Sequence, residues 1–156
     1  MGLLTKVLEN RENPRYIDAG GDYTNPADIR SLKRAKVAFT NGAANAVAFA
    51  WQNPETNKIL VTRVVLDVTT AATLAATLSI GTSSDATTES TDFMLKAPIN
   101  AIAVIDHLIV ASVGGGKALK LDEKDGATDY ITGTIKDQAS ATTVANIYIE
   151  YIEIFS

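Results

Sequence analysis

The segment Val144-Ala-Asn-Ile-Tyr-Ile-Glu-Tyr-Ile-Glu-Ile-Phe155 constrains this chain more than any other stretch. Its β-branched and aromatic residues pack well on a pleated strand and lose side-chain freedom in a helix. Ala145, Ile147, Ile149 and Tyr151 share one face of such a strand, and Asn146, Tyr148 and Glu150 the other. Glu150 and Glu153 stand three apart, so strict alternation cannot turn both to water. A β-bulge near Tyr151–Ile152 would place both carboxylates outside, with Ile152 and Ile154 inside. So long a strand at the end of the sequence predicts that the chain closes its sheet beside an early strand.

The same alternation recurs upstream. Val37 and Phe39 lead into the turn residues Thr40-Asn-Gly-Ala-Ala44, and Val47, Phe49 and Trp51 follow. Lys58–Thr69 is long, with Leu60, Thr62, Val64, Leu66 and Val68 in one phase and Ile59, Val61, Arg63, Val65 and Asp67 in the other. Leu74–Gly81, His107–Ser112, Ala118–Leu121 and Tyr130–Lys136 read as further strands, the last broken at Gly133. Thr82–Thr91 reads as a polar surface loop and Thr91–Lys96 as one helical turn. Trp51 reads as a core anchor. The fold class expected is all-β: an antiparallel β-sandwich, jelly-roll or related Greek key, with an N-terminal arm containing short helices.

Residues 1–33 form that arm and 34–156 the sandwich domain. Leu3, Leu4, Val7 and Leu8 recur at helical spacing before Arg11-Glu-Asn-Pro14, and a helix this short needs a surface to lie against. Asn25-Pro-Ala-Asp28 has the residues of a capped second turn. Arg30, Lys33, Arg34 and Lys36 follow as a basic cluster. Residues 1–36 carry seven Lys or Arg against five Asp or Glu, and the remainder seven against thirteen. A mildly basic arm on an acidic body fits docking onto an acidic neighbour. The apolar stripe and the basic cluster are therefore the candidate docking residues.

Composition narrows the function. There is no Cys, hence no disulfide framework, thiolate metal site or cysteine nucleophile. A net charge of −4 argues against nucleic acid as a partner, and no apolar run is long enough to span a membrane. Gly114-Gly-Gly-Lys117 lacks the spaced Gly and the Ser/Thr of a phosphate loop and reads as a hairpin turn. Asp122-Glu-Lys-Asp-Gly-Ala-Thr-Asp129 misses the ligand spacing of an EF-hand; an acidic turn is expected, with a calcium site shared with a partner left open. His107, the one histidine, has no accompanying nucleophile signature and reads as structural. Glu150 and Glu153 lack aromatic sugar platforms nearby, so a glycosidase pair is not expected. No enzyme activity, cofactor or metal is expected.

Leu66-Asp-Val-Thr-Thr-Ala-Ala-Thr-Leu-Ala-Ala-Thr-Leu-Ser-Ile-Gly-Thr-Ser-Ser-Asp85, then Tyr130-Ile-Thr-Gly-Thr134 and Ala145-Asn-Ile-Tyr-Ile-Glu-Tyr151, resemble the strands of tailed-phage jelly-roll head proteins, the capsid decoration, cement and head-fibre-base group. The resemblance spans roughly residues 58–155 by its strand patterns and leaves the arm unmatched. It implies a noncatalytic virion protein on the capsid surface, made in the host cytoplasm. Its partners would be the major capsid protein and its own copies in a homotrimer. The alternative is a carbohydrate- or receptor-binding jelly roll of a phage tail or fibre; the loops Thr82–Thr91 and Asp122–Asp129 contain no aromatic residue for sugar stacking.

Overall fold

The computed structural model describes Tyr16–Ile17, Tyr23–Thr24, 32–109 and 117–154. The chain divides into two compact units, Met1–Ser31 and Leu32–Ser156. Within the first, β1 (Tyr16–Ile17) pairs antiparallel with β2 (Tyr23–Thr24). The expected helices at 3–8 and 25–32 fall outside the described residues, apart from Leu32.

The second unit is all strand and loop among its described residues. Its strands are β3 (Lys33–Ala38), β4 (Val47–Gln52), β5 (Lys58–Thr70), β6 (Thr77–Ser83), β7 (Met94–Pro98), β8 (Ala103–Asp106), β9 (Leu119–Leu121), β10 (Tyr130–Lys136) and β11 (Val144–Ile154). They form two antiparallel sheets. One has the order β3-β11-β5-β8, with β9 also paired to β5; the other has the order β4-β10-β6-β7. The closing strand does return beside an early one, β3, with Ile147 opposite Val37 and Ile149 opposite Ala35.

The inner faces of both sheets feed a single buried cluster, as in a β-sandwich. Val64, Leu66, Ile147 and Ile149 come from one sheet, and Leu78, Ile80, Ile131 and Ile135 from the other. Each such side chain contributes about 1.5–3 kcal/mol relative to an exposed one. Aromatic contacts bridge the layers: the Trp51 and Tyr151 ring centroids are 5.4 Å apart, and Phe93 meets His107 edge-on at 5.3 Å.

The expected bulge lies one strand over. Glu150 faces Arg63 and Tyr151 faces Val61, so Thr62 of β5 is the extra residue. Its hydroxyl donates to the Glu150 carbonyl at 3.1 Å. The phase of β5 therefore changes at Thr62, and Ile59 and Val61 join Val64, Leu66 and Val68 in the core. β11 keeps strict alternation. Ile152 thus shares the outer face with Glu150, and Glu153 follows Tyr151 inward.

Other local expectations also shift. Thr91–Lys96 is not a helical turn, because Met94–Pro98 pairs with β6. The strand expected at His107–Ser112 ends at Asp106, and His107–Ile109 is a turn. The residues 110–112 lie outside the described ones. Leu74 belongs to the loop before β6 and not to the strand. Gly133 does not interrupt β10; it leaves room for the Phe49 ring, which lies where a Cβ would be.

Candidate docking surface

The basic cluster splits because β3 begins at Lys33. Ala35 and Val37 pack on the core, and alternation sends Lys33 the same way and Arg34 and Lys36 to the outer face. Lys33 Nζ donates to Glu55 Oε1 at 2.7 Å and to Glu153 Oε2 at 2.9 Å. The Tyr151 hydroxyl donates to the same Glu55 oxygen at 3.1 Å. Its hydrogen bonds to both carboxylates hold the Lys33 ammonium well above the usual lysine range, and Lys33 in turn pulls Glu55 below the ordinary glutamate value. This network ties the first strand of the second unit to the β4–β5 turn and to the end of β11.

Outside, the registers build a row of alternating charge across four strands. Arg34 of β3 and Arg63 of β5 both stand opposite Glu150 of β11. Arg34 Nε lies 3.0 Å from Glu150 Oε1. Arg63 extends the row to Asp106 of β8, with Nη2 and Nε at 2.7 and 2.9 Å from Oδ2. Burial would raise the Asp106 carboxyl. Arg63 and the Leu108 N–H outweigh that and hold it below the ordinary aspartate value. One row further along, Lys36 Nζ sits 5.8 Å from the centroid of the Tyr148 ring. Arg34, Arg63, Val65, Tyr148 and Glu150 line a shallow groove there.

Charge-paired rows of this kind orient a partner more than they hold it. Of the candidate docking residues, Arg34 and Lys36 share this outer face and Lys33 is turned away from it. Leu3, Leu4, Val7, Leu8 and Arg30 lie outside the described residues. The split was legible in Lys33-Arg-Ala-Lys-Val37, had the alternation been extended two residues before Ala35. The partners of Lys33 come from 22 and 120 residues away and left no local signal.

The remaining candidates have structural surroundings. His107 is buried, and its Nδ1 accepts the Val64 N–H at 2.8 Å. In the acidic loop, Lys58 donates to Asp122 at 2.8 Å, while Gln52 and the Asp125 N–H donate to Asp129 at 2.7 and 2.8 Å. Among the described residues no group of three or more His, Asp or Glu is placed to hold a metal. Residues 114–116 of the glycine turn lie outside the described ones.

No protein-family model matches the chain. No curated protein matches it either. Two solved structures are similar to it. A chain of the cyanophage Pam1 capsid asymmetric unit is 20% identical, with 90% of this chain and 99% of that chain covered and a TM-score of 0.48. A chain of the acidic stable capsid structure of Helicobacter pylori bacteriophage KHP30 is 19% identical, with 80% and 88% covered and a TM-score of 0.39.

Proposed function

We propose that this chain is a noncatalytic virion structural protein of a bacteriophage, a jelly roll that binds the outer surface of the capsid as a decoration or cement protein. The observation that carries the reading is where the sequence likeness falls. The phage-like segments 66–85, 130–134 and 145–151 fall on β5–β6, β10 and β11, which are the four central strands of the two sheets, together with the β5–β6 connection. The strand order supports the jelly-roll assignment: each of the pairs β3–β4, β5–β6, β7–β8 and β10–β11 has one strand in each sheet, and neighbours in each sheet are antiparallel. The arm, with Leu3, Leu4, Val7 and Leu8, supplies the apolar contact to the major capsid protein. Arg34 and Lys36 steer from the outer face. Microscopy of capsids mixed with the purified chain tests this. Ordered density on the capsid exterior is expected; bare capsids at saturating protein would refute it.

One observation favours a second reading, a glycan-binding module. Tyr148 stands on the outer face beside Arg34, Arg63 and Glu150, an aromatic flanked by hydrogen-bonding groups. A glycan array separates the two readings. Binding that Tyr148→Ala abolishes, without capsid attachment, would favour the module.

A further inference from the structure

Asn41 and Gly42 are the one Asn-Gly pair in the sequence, and they lie in the connection between β3 and β4. The fold has a use for each. A Cβ added to Gly42 would lie 2.8 Å from the Ala46 Cβ, so any side chain there forces the turn to shift. The Asn41 side chain reaches the β10–β11 connection: its Nδ2 donates to the Thr143 carbonyl at 2.8 Å and its Oδ1 accepts the Thr143 N–H at 3.0 Å. A side-chain amide supplies both a donor and an acceptor; the carboxylate of the same shape supplies no donor.

The same pair is chemically labile. The backbone nitrogen that follows an asparagine can attack that asparagine's side-chain Cγ. The N–Cγ bond forms, the nitrogen gives up its proton, the Cγ–Nδ2 bond breaks, and ammonia leaves behind a cyclic imide. Water then opens either C–N bond of the imide, to an aspartyl or an isoaspartyl linkage. The net reaction consumes a water and releases an ammonia, with nothing oxidised or reduced. Glycine in the second position favours cyclisation, because no Cβ obstructs the attack and the backbone reaches the angles it needs.

In the folded chain both reacting groups are engaged elsewhere. The two bonds to Thr143 hold the Asn41 amide toward the β10–β11 connection. The Gly42 N–H, whose nitrogen is the nucleophile, donates to Ser140 Oγ at 3.2 Å, and the Gly42 carbonyl accepts the Ser140 N–H at 3.0 Å. Ser140 and Thr143 are buried, and hydrogen bonds shielded from water hold more strongly. Asn41 itself is exposed, so water reaches the imide once it forms. Cyclisation therefore waits on the breaking of this clamp, and its rate follows the fraction of molecules in which the connection is open.

We propose that Asn41–Gly42 is a self-modification site, kept unreacted by the Ser140–Thr143 clamp and converted irreversibly when the β10–β11 connection opens. The product cannot close the clamp again. A carboxylate would face the Thr143 carbonyl, acceptor against acceptor, where the amide donated at 2.8 Å, and a carbonyl left without its donor there is costly. The isoaspartyl linkage also adds a carbon to the backbone of the β3–β4 turn. Opening is thereby recorded in the covalent chain, and each conversion weakens the tie between the two connections. Asp125–Gly126 can isomerise through the same kind of imide but loses no ammonia, so mass tells the two sites apart. The inference does not depend on the virion reading, since it concerns the chain alone.

Peptide mapping by mass spectrometry, with isoaspartate detected by methyltransferase labelling, follows Asn41 in the full chain at mildly alkaline pH, in native buffer and in denaturing urea. Conversion is expected in urea and about a hundredfold more slowly in native buffer, the suppression being set by the opening equilibrium. Hydrogen exchange of the Thr143 N–H measures that equilibrium independently, and the two protection factors should agree. Ser140→Ala, which removes the acceptor of the Gly42 N–H, should speed the native reaction several-fold and leave the rate in urea unchanged; circular dichroism checks that it folds, and the wild-type comparison stands without it. Equal rates in native buffer and urea would show that nothing protects the pair, and no conversion in urea would show that it is unreactive; either overturns the proposal. Suppression far short of the Thr143 exchange protection, or a folded Ser140→Ala protein that converts no faster than the wild type, overturns it equally.

Discussion

Lys33 Nζ lies 2.9 Å from a carboxylate oxygen of Glu153, joining the first residue of β3 to the penultimate residue of β11. The ammonium also holds Glu55, so its loss leaves two carboxylates and no cation. Lys33→Ala should destabilise the protein by about 1 kcal/mol, a value reduced because solvent still reaches the group. Truncation tests the same point. A chain starting at Leu32 should unfold cooperatively near the wild-type midpoint, while one starting at Arg34 should fall by the Lys33→Ala amount. Urea midpoints for the three proteins decide this; equal midpoints for the two truncations would remove the network's role.

His107 gives a pH dependence that a single imidazole makes easy to follow. Burial pushes its pKa below the ordinary 6.5, and protonation would cost the Val64 N–H its acceptor. The unfolded chain therefore takes up this proton first, so stability is full above about pH 6.5 and declines as pH falls toward the lower folded value. The carboxylates act later. Lys33 beside Glu55, and Arg63 outweighing burial at Asp106, hold these groups low. Their contribution is present above the ordinary carboxylate range and is lost as pH falls through their folded values. Urea midpoints from pH 7 to pH 3 should decline in two stages. An NMR titration of the imidazole should show a midpoint below 6.5, and one at or above 6.5 would contradict the buried neutral ring.

Gly133→Ala should cost about 3 kcal/mol, at the upper end of overpacking penalties. The added methyl overlaps the Phe49 ring, and Phe49 is itself buried between the sheets. Phe49→Leu combined with Gly133→Ala should recover part of the loss. Thermal melts of the two single variants and the double variant measure the coupling; strict additivity would argue against the contact.

Calcium should leave the melting temperature unchanged, as should EDTA. Asp122 is held by Lys58 and by the Thr128 N–H, and Asp129 by Gln52 and the Asp125 N–H. A divalent ion would have to displace these donors. A rise of several degrees with millimolar calcium would show that the loop rearranges to bind it.

The strands were legible in the sequence because alternation is a local property, written into residues two apart. Val37, Val64, Leu66, Ile147 and Ile149 could be assigned to a core from spacing alone. The pairing of β11 with an early strand was legible too, since so long an apolar run needs a neighbour on each side. What the tertiary structure decided was phase and partnership. Glu150 and Glu153 announced a break in alternation, but a bulge can sit on either strand of a pair, and only the register placed it at Thr62. Lys33 looked like its neighbours Arg34 and Lys36 until its partners arrived from 22 and 120 residues away.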